Sequence, residues 1–339
     1  MTSTPNPALN YTAAPDTRSS AKISREAISA SVVAVLCVVM LFGSRFISPS
    51  LGSWAQVETV LVLGLFLVVL SFGQGLVVLT GGLDLSLPAL VTLGGVLSAG
   101  LVGDHNAAQY YMLPLVLLAC GAVGMLSGIG VVFLKVPPFI MTMAVSIVVA
   151  SSALGVTGGS PRGASPDLLS ALMKTQVFGV RWSIVFLVLF VLVGWLIQGR
   201  TVFGRYMYAV GTNAEAARIA GVPVNLVRIL PYVISAACAG FVGMMLVGYS
   251  NGATLRMGDD YLLPSIAAVV IGGSSILGGR GTFLGTVSGA ILLTTLGTII
   301  SAIGLSFGLR SIIEGLIILV ALLLLRDEIF ERLRAIRKR

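Results

Sequence analysis

Few side chains in this sequence could do chemistry, and most of those are set in apolar runs. Asp84 lies in TGGLDLSLPAL, with two glycines just before it and Pro88 after it. An ionised aspartate at the centre of a bilayer costs about 2.5–3.5 kcal/mol on insertion scales, so protein or a wet cavity must engage it. Gly81 and Gly82 free the chain to break a helix at that point. Asp84 can then cap the helix that follows, with Ser86 in its first turn. Capping and packing is the first role read for Asp84, and contact with a permeating solute is the second. Gln74, between glycines in SFGQGLVVLT, can bond across helices or face a translocated hydroxyl. Phe139 and Thr142, three apart in KVPPFIMTMAVS, would offer one helix face an aromatic plane and a hydroxyl, with lipid or core packing as the other reading. Glu314 stands four residues from Arg310, a spacing at which the two neutralise each other. A proton relay through Asp84 or Glu314 is the other use these carboxylates have.

Enzymatic chemistry finds no footing. The apolar runs hold no histidine and no paired carboxylates, so a nucleophile–base pair or metal-ligand set is missing from them. His105 falls in the short polar loop GDHNAAQ. Cys37, Cys120 and Cys238 lie in apolar runs without metal-ligand or redox spacing. No metal site is expected. The glycine-rich GGRGTFLG lacks the Lys-Ser/Thr ending of a phosphate-cradling loop, and no lysine follows a glycine anywhere in the chain. The chain is therefore expected to bind no cofactor and to carry no catalytic site. Any ATP and Mg would belong to another polypeptide.

The elements that position these groups follow from composition. Hydrophobic residues make up 56% of the 339 and charged residues only 10%, with mean hydropathy +1.02. A soluble domain carries about 25% charged residues. The chain reads as an all-α polytopic membrane protein. Apolar segments at 27–44, 57–79, 85–103, 112–134, 139–158, 182–198, 229–250, 262–278, 285–303 and 308–325 predict about ten transmembrane helices, some broken by glycine, with both termini cytoplasmic. Fifteen of the 21 Lys and Arg then fall on the inner side; the other six are Arg45, Arg162, Lys174, Arg181, Arg256 and Arg310. The net charge of +8 is thus topological, which excludes nucleic acid and leaves anionic membrane lipids as the partner of the basic end. The domains read as a flexible cytoplasmic tail at 1–26, a transmembrane domain at 27–325 and a basic cytoplasmic tail at 326–339. Glycines four apart, at 124 and 128 and again at 281, 285 and 289, predict close helix packing.

The longest inner segment, 199–228, carries a short-helix grammar in GTNAEAARIAGVPVNLVRILP. Asn213 is the N-cap, Glu215 favours the first turn, Gly221 suits the left-handed position after the end, and Pro223 stops continuation. Between them Ala216, Ala217 and Ile219 give about two turns, too short to be stable alone in water. The helix must pack on its own domain or on a partner.

EAARIAG followed by ILP resembles the coupling motif of ABC importer membrane subunits, with the shorter glycine-to-proline spacing of the branch that takes up ribose, xylose and related monosaccharides. TGGLDLSLPALVTLGG and DDYLLPSIAAVVIGGSSILGGRGTFLGTVSGA resemble two further signatures of that branch, in the same order. Pro88 and the Leu262-Leu263-Pro264 stretch depart from its pattern. The resemblance covers roughly residues 27–325. It implies an ABC importer transmembrane-domain fold and a second permease copy. It also implies a separate ATPase docked on 213–220, through Asn213, Glu215, Ala216, Ala217 and Gly221, and a binding protein delivering a monosaccharide or similar small polyol past Gln74, Asp84, Phe139 and Thr142. The Phe-Ile-x-Thr of the branch strengthens the reading of Thr142. A proton-coupled secondary transporter of a small polar solute is the alternative.

Overall fold

The computed structural model describes residues 18–46, 51–102, 106–305 and, beyond these, 308, 309, 311–313, 315, 316 and 319. It is mostly helical. In chain order the helices are α1 (Arg18–Gly43), α2 (Trp54–Leu79), α3 (Leu87–Val102), α4 (Gln109–Val132), α5 (Pro138–Thr157), α6 (Asp167–Lys174), α7 (Trp182–Arg200), α8 (Val202–Thr212), α9 (Ala214–Ile219), α10 (Val224–Ser250), α11 (Leu262–Ile271) and α12 (Phe283–Ala302). A two-residue-per-strand hairpin, β1 (Gln176–Val177) and β2 (Val180–Arg181), links α6 to α7.

Among the described residues, α2, α4, α5, α7, α10 and α12 are long and apolar enough to cross a bilayer; 31–46 and α3 are shorter apolar helices. These residues bear out the all-α polytopic class but not the number ten. The segment 262–278 is not one helix: α11 has 10 residues, about 15 Å of rise, and is followed by irregular chain up to Thr282. Most of the last expected span, the Arg310–Glu314 pair, His105 and both extreme termini lie outside the described residues. The expected tail at 1–26 is also revised, because α1 is already helical from Arg18.

The core forms around α2 and α10. α2 is apolar on every side, as a helix enclosed by others must be, and is buried along most of its length. α10 packs on α2, α3 and α4, and α12 packs on α1, α2 and α11. Small residues set these distances. Gly94 of α3 faces the backbone of Gly240, so a methyl group at Gly94 would collide with α10, whereas one at Gly240 would meet Cys120 of α4. Gly124 meets the Tyr232 backbone and Ala236, and Gly128 meets Ile229, as their spacing predicts. Gly285 and Gly289 likewise receive Gly272 and Ala268 of α11. Gly281 does not share their face: it precedes α12 with φ +139° and belongs to the turn. The N-cap of α12 is Thr282, which accepts from the Gly285 amide at 3.2 Å. Phe72 stacks edge-on against Phe190 and Phe283, locking α2 to α7 and α12.

Four helices end in the same way. α5 closes with Gly158 at φ +57°, the Gly159 amide donating to the Leu154 carbonyl (3.1 Å) and Gly158 to Gly155 (3.3 Å). α2 closes with Gly81 at φ +80°, the Gly82 amide donating to the Val77 carbonyl (3.0 Å) and Gly81 to Val78 (2.9 Å). α11 closes with Gly273 at φ +91°, Ser274 donating to Val269 (3.1 Å) and Gly273 to Val270 (2.9 Å). α9 closes with Gly221 at φ +81°, Val222 donating to Ala217 and Gly221 to Arg218, both at 3.0 Å. Each is the paired closure that a left-handed glycine permits, and each satisfies carbonyls that the helix end would otherwise leave unpaired.

Candidate functional site

After Gly82 the chain turns back as an extended segment, 82–86, running beside α2 and α10. Its depth follows from its contacts. Asp84 bonds to Ser235, and Gly73, six residues before the end of α2, also packs on Ser235. Asp84 therefore stands roughly 9 Å above the Leu79 end of α2. Its carboxylate is fully engaged. Oδ1 accepts from the Ser86 amide (2.9 Å) and hydroxyl (2.6 Å), and Oδ2 accepts from the Ser235 hydroxyl (2.8 Å). Asp84 is 1% exposed. Ser86 directly precedes α3 and its carbonyl takes the first helical bond, from Leu90. Asp84 thus does not cap the first-turn amides itself. It fixes Ser86, the residue at the cap position, through an Asx turn. Ser86 is outside the helix rather than within its first turn.

Thr142 holds the other side of this segment. Its hydroxyl accepts from the Leu85 amide at 3.0 Å and sits 2.9 Å from the Pro138 carbonyl, to which it donates. Thr142 is fully buried, whereas Phe139 is 54% exposed on the bundle surface. The expected aromatic-plus-hydroxyl pair is therefore not formed: Thr142 turns inward to the broken segment and Phe139 outward. Tyr232 closes the wall, its hydroxyl lying against Gly82. Arg228, Tyr232 and Ser235 repeat at helical spacing along the α10 face that lines this segment.

Gln74 is fully buried, and among the described residues neither amide atom has a hydrogen-bond partner; Ser71 Oγ, one turn earlier, is in the same condition. Orphaned polar groups of this kind cost about 1–3 kcal/mol each and call for a function or a water. Helical spacing puts Gln74 on the α2 face that carries Thr59, Leu63 and Leu67. Those three line a cavity of about 620 Å³, which is completed by Asp260 just before α11, Pro264 within it, Thr294 and Thr298 of α12 and Ser311 beyond α12. Hydroxyls, two carboxylates (Asp259 and Asp260) and apolar side chains line it together. This size and character suit a small ligand. Sequence reasoning missed the cavity, since its polar groups come from four separate segments with no shared motif.

At the opposite end of the bundle, α8 and α9 pack near the end of α2 and the start of α10. Asn213 serves both helices. Its amide closes α8 on the Ala209 carbonyl (3.0 Å), and its side chain accepts from the Glu215 and Ala216 amides (each 3.0 Å). Glu215 occupies the first turn of α9 and meets Arg218 at 4.0 Å on an exposed face. Glu215, Ala216 and Gly221 are exposed; Ala217 is not, at 5%. Ala217 is thus the residue that seats α9 on its own domain, a correction to its expected place in the partner-facing set. Ile219, which the expected set omitted, is 82% exposed. An apolar side chain held out on a six-residue helix is the prominent feature of this surface.

The comparisons with known proteins agree with this anatomy. A family model described as the permease component of the branched-chain amino acid transport system matches residues 56–322. A probable ABC transporter permease of Sinorhizobium fredii (strain NBRC 101917 / NGR234) is 34% identical, covering 86% of this chain and 86% of its own. The ribose import permease RbsC of Escherichia coli K12 is 30% identical, with 86% and 92% covered. The autoinducer 2 import permease LsrC of Enterobacter sp. strain 638 is 32% identical, with 90% of each covered. No solved structure matches. The broken spans, the short projecting α9 and a match over most of the chain lead to one conclusion: the protein belongs to the branched-chain-type permease family of ABC importers and is a multi-pass permease of the bacterial cell membrane.

Proposed function

We propose that the chain is the membrane subunit of an ATP-driven importer for a monosaccharide or similar small polyol. Two copies form the pathway, a binding protein delivers the solute, and a separate ATPase, which holds the ATP and Mg, docks on α9. Lipid and the second copy cover the apolar residues exposed on α4, α5 and α7, such as Leu118, Leu126, Ile147, Val148 and Leu189. The observation that carries the reading is α9: capped by Asn213, closed by Gly221, seated by Ala217 and presenting Ile219. The cargo class rests on relatives named for ribose and for autoinducer 2, and on a cavity rich in hydroxyls. Gln74 serves the pathway, its free amide offering a donor and an acceptor to a hydroxylated solute. Asp84 and Thr142 hold the broken segment that borders that route. With both its oxygens occupied by short bonds, Asp84 gives little support to the proton-coupled alternative.

The experiment is reconstitution in liposomes with and without the ATPase and binding protein. The expected result is uptake, and sugar-stimulated ATP hydrolysis with a pentose or hexose but not with amino acids, only when all components are present. Concentrative uptake by this chain alone, driven by a proton gradient, would overturn the proposal.

A further inference from the structure

α8 lies where the two broken spans meet. The Gly279 amide, in the irregular stretch after α11, donates to the Leu79 carbonyl at the end of α2 (2.9 Å). Gly211 of α8 is packed directly on that bond, with no room for a side chain against the Leu79 carbonyl and the Gly279 amide. Gly278 packs on the backbone of Gly81 and Leu79, and Thr212 packs on Gly279. One turn back on α8, the Tyr208 hydroxyl donates to the Gly281 carbonyl at 2.6 Å, immediately before the N-cap of α12. Gly204, Met207 and Val210 seat the helix on the bundle. No loop separates α8 from α9, because Asn213 ends the first and begins the second.

We infer that α8 is the element through which motion at α9 reaches both broken spans, and that Tyr208 is the positioning residue that joins it to the start of α12. A hydrogen bond to a main-chain carbonyl moves the chain it holds, whereas an apolar contact at the same place can slide. A push on α9 passes through Asn213 to α8. From there it reaches the 278–281 turn by the Tyr208 bond, and the end of α2 by the Gly279–Leu79 bond. The two breaks shift as one body. Gly211 and Gly279 allow the backbones to approach this closely. This inference rests on the reading of α9 as the ATPase docking element.

The test uses the full complex in nanodiscs, with spin labels at Leu277→Cys and Phe133→Cys in a background whose native cysteines are replaced by alanine. Both positions are exposed, at 89% and 59%, one on the turn and one at the end of α4. The probe is ATP-Mg with vanadate. In the otherwise unsubstituted protein the interlabel distance is expected to change on ATP binding. In Tyr208→Phe the fraction of molecules that respond is expected to fall roughly fivefold, the factor of a single neutral hydrogen bond. Co-purification of the ATPase and thermal stability are expected to stay as they were. A full response in Tyr208→Phe overturns the inference, as does no response in the unsubstituted protein. Ile219→Asp separates the two levels. If it leaves ATPase co-purification and the distance change intact, the docking reading of α9 is what fails. If it abolishes co-purification while Tyr208→Phe responds fully, docking stands and transmission through α8 falls.

Discussion

Ser235 and Asp84, 151 residues apart, are joined by a 2.8 Å hydrogen bond that ties the middle of α10 to the only carboxylate of the 82–86 segment. The bond explains how a non-helical segment can be held among helices. Its acceptor oxygens are filled by local and distant donors together, and Thr142 satisfies an amide on the far side.

Asp84→Asn is expected to keep most of the folded yield, since its amide oxygen can still accept from Ser86 and its NH₂ can turn to Ser235. Asp84→Leu leaves the Ser86 and Ser235 donors buried and unpaired, at about 1–3 kcal/mol each. Membrane-extracted monodisperse protein, measured by size exclusion, should fall sharply for leucine alone. Equal yields would remove the structural role.

Thr142→Val deletes the acceptor of the Leu85 amide, whereas Thr142→Ser retains it. The melting temperature of the purified protein should fall by several degrees for valine, in keeping with about 1–3 kcal/mol, and little for serine. A sugar-contact role would instead appear as a raised KM in valine with an unchanged melting temperature.

Gln74→Leu removes two orphaned polar atoms from a buried site. The melting temperature should hold or rise, because a buried group without partners stops costing desolvation. Uptake should nevertheless weaken, with KM raised about tenfold, the loss of a hydrogen bond of roughly 1–1.5 kcal/mol. Unchanged KM would take Gln74 out of the pathway.

Ile219→Asp and Ala217→Trp should separate docking from folding. Ile219 is exposed, so aspartate there should leave the melting temperature unchanged and release the ATPase in a pull-down. Ala217 is buried, so tryptophan overpacks the seat of α9 at about 1–3 kcal/mol and should lower the melting temperature of the permease by itself.

What the sequence made legible was local. Asn213, Gly221 and Pro223 delimit α9 because caps and left-handed glycines act within one turn. Gly124 and Gly128 betray their packing because four-residue spacing fixes a face. Gly81 and Gly82 announce a break before Asp84. Reading failed where an outcome depended on which neighbour arrived. Thr142 and Phe139 share a helix, yet one meets the Leu85 amide and the other the bundle surface. Ala217 and Ile219 lie two apart, and only the fold decides which of them faces inward. Gly281 fits the spacing of Gly285 and Gly289, but Thr282 caps the helix and leaves Gly281 outside. The cavity near Thr59, Thr294 and Thr298 needed four separated segments to meet.

The brevity of α11 bears on how the protein is made. Ten residues rise about half the thickness of the hydrocarbon layer, so this stretch cannot stay in the lipid by itself as it leaves the ribosome. Its anchorage is supplied later: Gly285 and Gly289 of α12 receive it, and the turn between them is pinned to Leu79, synthesised some two hundred residues earlier. Biogenesis of this half of the molecule must therefore be a joint act, in which the early chain waits in the bilayer as the template on which the last helices settle.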